Sequence, residues 1–148
     1  MSPYDMIRAQ LSQMVPFANH VGVEVLEVGD GTGRTALDQR EETSNHIKSQ
    51  HAGAMFTLGE AASGAALAGA LAPVMLEVRP VAAGAEIKYV KIAKGRLEAH
   101  ATTERPGADL LAELADVGKV AFDVNVDIRD AGGDTVVTMR VGWHVKKG

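Results

Sequence analysis

The chain has 148 residues, 46% of them hydrophobic and 23% charged, with a formal net charge of −4 and no cysteine. This length and balance predict a single globular domain over 1–148, with a real core and no room for a second catalytic domain. Without cysteine there are no disulfides, thiolate metal sites or cysteine nucleophile, and the negative balance gives no general attraction for nucleic acid.

Tyr4, Ile7, Leu11, Met14 and Val15 recur at helical spacing, which predicts an amphipathic N-terminal helix over Ser2 to Val15, ended by Pro16. Met1 to Phe17 carries Asp5 and Arg8 inside this pattern and lacks the basic start and apolar run of a secretory signal, so a cytoplasmic location is expected. Val21 to Val28 and Gly33 to Leu37 read as two strands joined by the turn Gly29-Asp30-Gly31, a hairpin. That glycine run lacks the lysine and following helix of a phosphate loop.

Asp38 to Gln50 is polar and reads as a loop carrying Asn45 and His46. Ala52 to Leu71 then reads as one long helix. Of the 21 residues from Ala52 to Ala72, nine are alanine, four are glycine, and Glu60 is the only charge. Such a stretch is long enough to span a bilayer, but a carboxylate near its middle and strand-like sequence after it favour a helix enclosed by a sheet. Taking a lone charge out of water is costly, so Glu60 must be paired, neutralised or at work.

Beyond the helix the period changes to two. Val74 to Val81, Ala85 to Ile92 and Arg96 to Thr103 are predicted strands separated by Ala-Gly and Lys-Gly turns. Pro106 to Ala115 reads equally as a short helix or a long connection. Val120, Phe122, Val124, Val126 and Ile128 alternate with polar or small residues, as do Val137, Met139, Val141, Trp143 and Val145, with Asp130-Ala131-Gly132-Gly133 as the turn between. Alternation of this kind makes a half-buried antiparallel sheet, so the predicted class is α+β, with the sheet wrapped around the long helix. The histidines at 20, 46, 51, 100 and 144 form no compact ligand spacing, and no metal is expected.

The stretch NHIKSQHAGAMFTLGEA, from Asn45 to Ala61, resembles the hotdog-fold thioesterases of the phenylacetate-pathway type and the hotdog proteins related to them. In that family a glycine-rich loop with a preceding histidine opens the central helix, and an acidic residue further along it is catalytic. The resemblance carries those roles to His51, to Ala52 and Gly53, to Glu60, and to Asn45 upstream. It departs at Ala52, where many members have glycine, and at Val78, where some have a polar water-orienting residue. It implies a hotdog fold, hydrolysis of an acyl-coenzyme A thioester with coenzyme A as part of the substrate and no other cofactor, and homodimers often paired into tetramers. The fold also serves dehydratases, isomerases and non-catalytic acyl or acyl-coenzyme A binders, which stand as alternatives.

In the thioesterase reading Glu60 either deprotonates a water or attacks the carbonyl itself, and the amides of Ala52 and Gly53 at the helix start receive the developing oxyanion. Glu60 lies roughly 12 Å along the axis from that start, at about 1.5 Å per residue. One carbonyl cannot touch both, so the expectation is a composite site in which two antiparallel helices from two subunits each supply one half. Asn45 then reaches the attacking water or the partner's Glu60, or braces its own loop, and His51 shapes the loop or donates to the thioester oxygen. Ser63 and Thr57 bond either substrate or their own backbone. Lys91, Lys94 and Arg96 either hold coenzyme A phosphates or form a solvated edge, and Met55, Phe56, Val78 and Trp143 line an acyl pocket or belong to the core.

Overall fold

The computed structural model describes residues 2–148 and leaves Met1 outside the description. Helix α1 spans Pro3–Met14, started by a capping box in which Ser2 and Asp5 bond each other's backbone. Pro16 does not simply end it. A second helix, α2, runs Pro16–Val21, because proline at the first position of a helix gives up only an amide that would be unpaired there. Gly22, at φ 100, stops α2 and sends the chain into strand β1 at Glu24–Gly29, so the strand expected from Val21 begins later.

Strand β2 (Thr32–Leu37) completes the hairpin, and a loop with one 3-10 turn leads to helix α3 at Ala52–Ala70. A short 3-10 stretch, Ala72–Glu77, follows α3. The two strands expected between Val74 and Ile92 are one, β3 (Val78–Tyr89). Its Ala82-Ala83-Gly84 segment is a bulge rather than a turn: the pairing with its neighbour shifts by one residue there, and Gly84 keeps an ordinary negative-φ backbone. Then come β4 (Leu97–Thr103), α4 (Gly107–Val117), which settles the ambiguous stretch as a helix, β5 (Lys119–Arg129) and β6 (Thr135–Lys147).

All six strands form one antiparallel sheet in the order β1-β2-β4-β5-β6-β3. The inward residues of β5 and β6 face one another in register, Val120 to Val145, Phe122 to Trp143, Val124 to Val141, Val126 to Met139 and Ile128 to Val137. Most of these side chains are buried against α3, each contributing about 1.5–3 kcal/mol when fully covered. Thirteen of the 19 residues of α3 are buried, which is why the helix lacks an ordinary polar face.

The glycines of this contact permit that closeness. A methyl at Gly33 of β2 would lie 2.6 Å from the Ala62 carbonyl oxygen, and one at Gly69 would overlap the Gly29 carbonyl. Glycine inside a helix costs about 1 kcal/mol relative to alanine, so at Gly69 close packing offsets a penalty of that size.

The helix lies under β1, β2, β4 and β5 and leaves β3 uncovered. From Val81 to Glu86 every residue of β3 is exposed, on both faces of the sheet. Strand β3 is also a sheet edge, pairing among the described residues only with β6.

Candidate active site

Buried positions on α3 are interrupted along one line. Gly53 is exposed, and Phe56, Glu60, Ala61 and Gly64 are half-buried. Steps of three and four residues put Gly53, Phe56, Glu60 and Gly64 on one face. The single charge of the helix thus sits on the strip that the chain's own sheet does not cover. Among the described residues no side chain bonds the Glu60 carboxylate, while its backbone carbonyl accepts from Ser63 Oγ at 2.7 Å.

Ser63 is fully buried, and its oxygen also accepts from Trp143 Nε1 at 3.1 Å. Thr57 Oγ1 donates to the Gly53 carbonyl at 3.0 Å. Both hydroxyls therefore serve their own helix. The Trp143 contact is what the sequence reading missed: alternation along β6 already put Trp143 on the inward face, but nothing in the pattern showed which turn of α3 it would meet.

At the other end of the strip His51 is the N-cap. Its Nδ1 accepts from the Gly53 amide at 2.8 Å, while its own amide donates to the Thr43 carbonyl at 2.7 Å. Of the two amides expected to receive an oxyanion, that of Gly53 already has an acceptor. Tyr89, at the end of β3, holds the same turn by donating to the Ala52 carbonyl at 3.2 Å, and partial burial pushes its phenol above the usual value.

The loop before α3 is built around Asn45. Its Oδ1 accepts from the Ile47 amide at 3.1 Å and from the amide and hydroxyl of Ser49 at 3.0 and 3.1 Å. Its Nδ2 donates to Ser49 Oγ at 2.9 Å. The side chain is spent on bracing the loop. His46 stands exposed on the same loop. Arg40 ties the loop's start to α2 through the carbonyls of Val21, at 2.6 Å, and His20, at 3.3 Å.

The three basic residues considered for phosphates do not stand alike. Lys91 pairs with Asp134 at 2.8 Å and Asp130 at 3.6 Å, and the hydrogen bond to Asp134 holds its ammonium above the usual lysine range. Arg96 pairs with Asp38 at 2.9 Å and Glu24 at 3.3 Å, which raises its guanidinium likewise. Lys94 alone of the three has no acidic partner among the described residues. Among those residues there is also no group of three potential metal ligands, and no helix is long and apolar enough to cross a membrane.

One chain therefore brings together Glu60, Gly64, Ser63 and Trp143 at mid-helix, and His51, Ala52, Gly53, Asn45 and Tyr89 around the helix start. It does not bring the two groups into contact. The helix begins at Ala52, and the separation to Glu60 is about 12 Å at about 1.5 Å per residue.

A six-stranded antiparallel sheet in this order, curled around one long helix, is the hotdog fold. Within it the chain belongs to the family described as a domain of unknown function, DUF4442, whose model matches residues 5–145. Among solved structures, the chain is similar to PA5026 of Pseudomonas aeruginosa, described as a protein of unknown function and probable thioesterase, at 20% identity, covering 97% of this chain and 95% of that one, with a TM-score of 0.83. It is similar to PaaI of E. coli, from the phenylacetic acid degradation operon, at 18% identity, covering 97% and 93%, with a TM-score of 0.73. A hypothetical thioesterase of Streptococcus pneumoniae, solved with coenzyme A, shares 20% identity over 85% of this chain and 87% of its own, with a TM-score of 0.67. Among curated proteins none matches.

Proposed function

We propose that this protein hydrolyses an acyl-coenzyme A thioester at a site shared between two copies of the chain, with Glu60 as the catalytic carboxylate. The observation that carries the reading is the position of Glu60: half-buried, without a partner among the described residues, and on the one strip of α3 left open. A carboxylate held there without a structural role suits an acid–base or nucleophilic task. The fold shared with a probable thioesterase and with a hypothetical thioesterase solved with coenzyme A supports the same chemistry.

Two copies are invoked because the donors at the helix start lie too far from Glu60 of the same chain. Pairing β3 of one copy antiparallel to β3 of another extends the sheet across both, covers the overhanging strand, and sets one helix start opposite the other helix's middle. In that arrangement the thioester oxygen lies against the amides of Ala52 and Gly53 of the partner subunit, and His51 yields the Gly53 amide as the oxyanion forms. Asn45 keeps the loop and helix start in place. Lys94, with Lys91 and Arg96 beside it, meets the phosphates of coenzyme A at the surface.

Water supplies the new C–O bond, the C–S bond breaks, and the proton lost by water ends on the departing thiol. In a single turnover in 18O-water, label in Glu60 identifies it as a nucleophile whose mixed anhydride is opened at the Glu60 carboxyl carbon. Label only in the acid product fits either a base or an anhydride opened at the acyl carbon, which trapping of the anhydride separates. The deciding experiment is hydrolysis of a panel of aliphatic and aryl acyl-coenzyme A thioesters by the wild type and Glu60→Gln. The variant is expected to bind the esters and to lose turnover by at least a hundredfold. Equal hydrolysis by both removes Glu60 from the chemistry, whereas tight binding without hydrolysis by either makes the protein a non-catalytic acyl-coenzyme A binder.

A further inference from the structure

The glycines of α3 do not share one explanation. A methyl at Gly59 would meet Met139 Sδ at 2.5 Å, one at Gly69 would overlap the Gly29 carbonyl, and one at Gly53 would press on His51 Nδ1 at 3.2 Å. At Gly64 the nearest atom would be Trp143 Cζ2 at 3.9 Å, an ordinary contact. Alanine fits at Gly64 and is the better helix former, so no contact among the described residues accounts for the glycine.

What lies around Gly64 is specific. Glu60 is one turn back on the same face. The indole of Trp143 is fixed beside it by the Nε1 bond to Ser63 Oγ, which in turn donates to the Glu60 carbonyl, so the ring cannot turn away without breaking that chain of bonds. Opposite Trp143 in register is Ala82 of β3, followed by Ala83, Gly84 and Ala85, which leave the ground beyond the ring without bulk. A carboxylate, a turn of bare helix backbone and a half-buried aromatic ring thus lie side by side on the face of α3 that the sheet leaves open.

We propose that Gly64 and Trp143 form the seat of the acyl group next to the scissile carbonyl, and that the missing side chain at Gly64 sets how wide that group can be. The inference rests on the reading of the strip as an acyl-thioester site. A partner helix packed at glycine distance is the competing occupant, and it would leave no room for a thioester between Glu60 and the donors at the partner's helix start. An acyl group instead places a neutral apolar body on the glycine and ring, with its carbonyl toward Glu60.

The test is Gly64→Ala, with Trp143→Phe as a second variant, in three measurements: melting temperature, mass in solution, and kcat/KM for coenzyme A esters from acetyl to branched and cyclic acyl groups. Gly64→Ala is expected to melt higher and keep its mass, while the ratio of kcat/KM for the bulkiest ester to that for acetyl falls about tenfold or more, the usual effect of one carbon in a filled pocket. Trp143→Phe, with a smaller wall, is expected to move the ratio the other way. An unchanged ratio in both variants overturns the seat, and a fall in mass for Gly64→Ala assigns the glycine to a partner helix instead. If the wild type hydrolyses no ester, the same ratio is read from binding of the esters: a tenfold loss for bulky esters upholds the seat while the catalytic reading falls, and no binding of any ester overturns both.

Discussion

His51 Nδ1 accepts the amide hydrogen of Gly53 at 2.8 Å, so one ring both caps α3 and occupies a donor at the helix start. An N-cap acceptor is worth about 1 kcal/mol, because it satisfies an amide that the helix itself cannot. His51→Ala should lower stability by about that amount, and His51→Asn, whose shorter side chain offers an equivalent oxygen, should recover most of it. Urea unfolding of the three proteins decides the matter, and identical midpoints would mean that the bond does not hold the helix.

Gly69 reports on the closeness of α3 to the first hairpin. A methyl there collides with backbone, not with a side chain that can move aside. Gly69→Ala should therefore destabilise by roughly 3 kcal/mol despite the gain in helix propensity, in the range for overpacking. Calorimetry on Gly69→Ala beside Gly64→Ala makes the comparison direct, since the same substitution in the same helix is expected to have opposite signs.

The hairpin turn between β5 and β6 is held by the side-chain oxygen of Asp130 and stabilised further by its charge. Asp130 Oδ1 accepts from the amides of Gly132 and Asp134, both at 3.0 Å, and Lys91 lies 3.6 Å from its other oxygen. The backbone bond from Asp134 is the largest cause holding the Asp130 carboxyl below its ordinary value, with the Lys91 charge adding to it. A depressed folded value means that the stabilisation is complete above the unfolded carboxylate value and disappears as pH falls through the lower folded one. Amide spectra should show the turn residues Gly132 and Asp134 shifting in that acid window, and Asp130→Asn should flatten their titration while leaving the turn formed. Titration in the neutral range would contradict the assignment.

The uncovered strand predicts an assembly. Leu76, just before β3, is 94% exposed, and Val81 within it is 55% exposed. Leu76→Asp combined with Val81→Asp should convert a dimer into monomers in light scattering and take thioester hydrolysis down with it by at least a hundredfold. A fully active monomer, of either the wild type or the variant, ends the composite-site reading.

Much of the fold was written in periodicity. The inward residues of β5 and β6, and the start of α3 at Ala52, emerged as the alternation and the small-residue run predicted. Local signals failed where tertiary pairing decided the outcome. Pro16 reads as a stop, and α1 does end before it, but it also begins α2, a helix that Gly22 and Arg40 close from the other end. Ala83-Gly84 reads as a turn, yet β6 is long enough to carry β3 straight through it as a bulge. For the site, the isolation of Glu60 was visible in composition alone. The commitment of Asn45 to its loop, of His51 to Gly53, and of Lys91 and Arg96 to acidic neighbours was not, because those partners depend on how the loops fold back.

The strand order also dictates a sequence of events during synthesis. β3 leaves the ribosome ahead of β4, α4 and β5, yet its only hydrogen-bonded neighbour is β6, which follows all of them. At about 5–20 residues per second, β3 waits seconds with both edges open, the condition under which strands find wrong partners. Pro80, which has no amide hydrogen to offer a stray strand, and the register shift at Ala82 and Gly84 make it a poor template during that wait. The surface proposed to join two subunits thus comes into being only once β6 has been made, so assembly is timed by the chain itself.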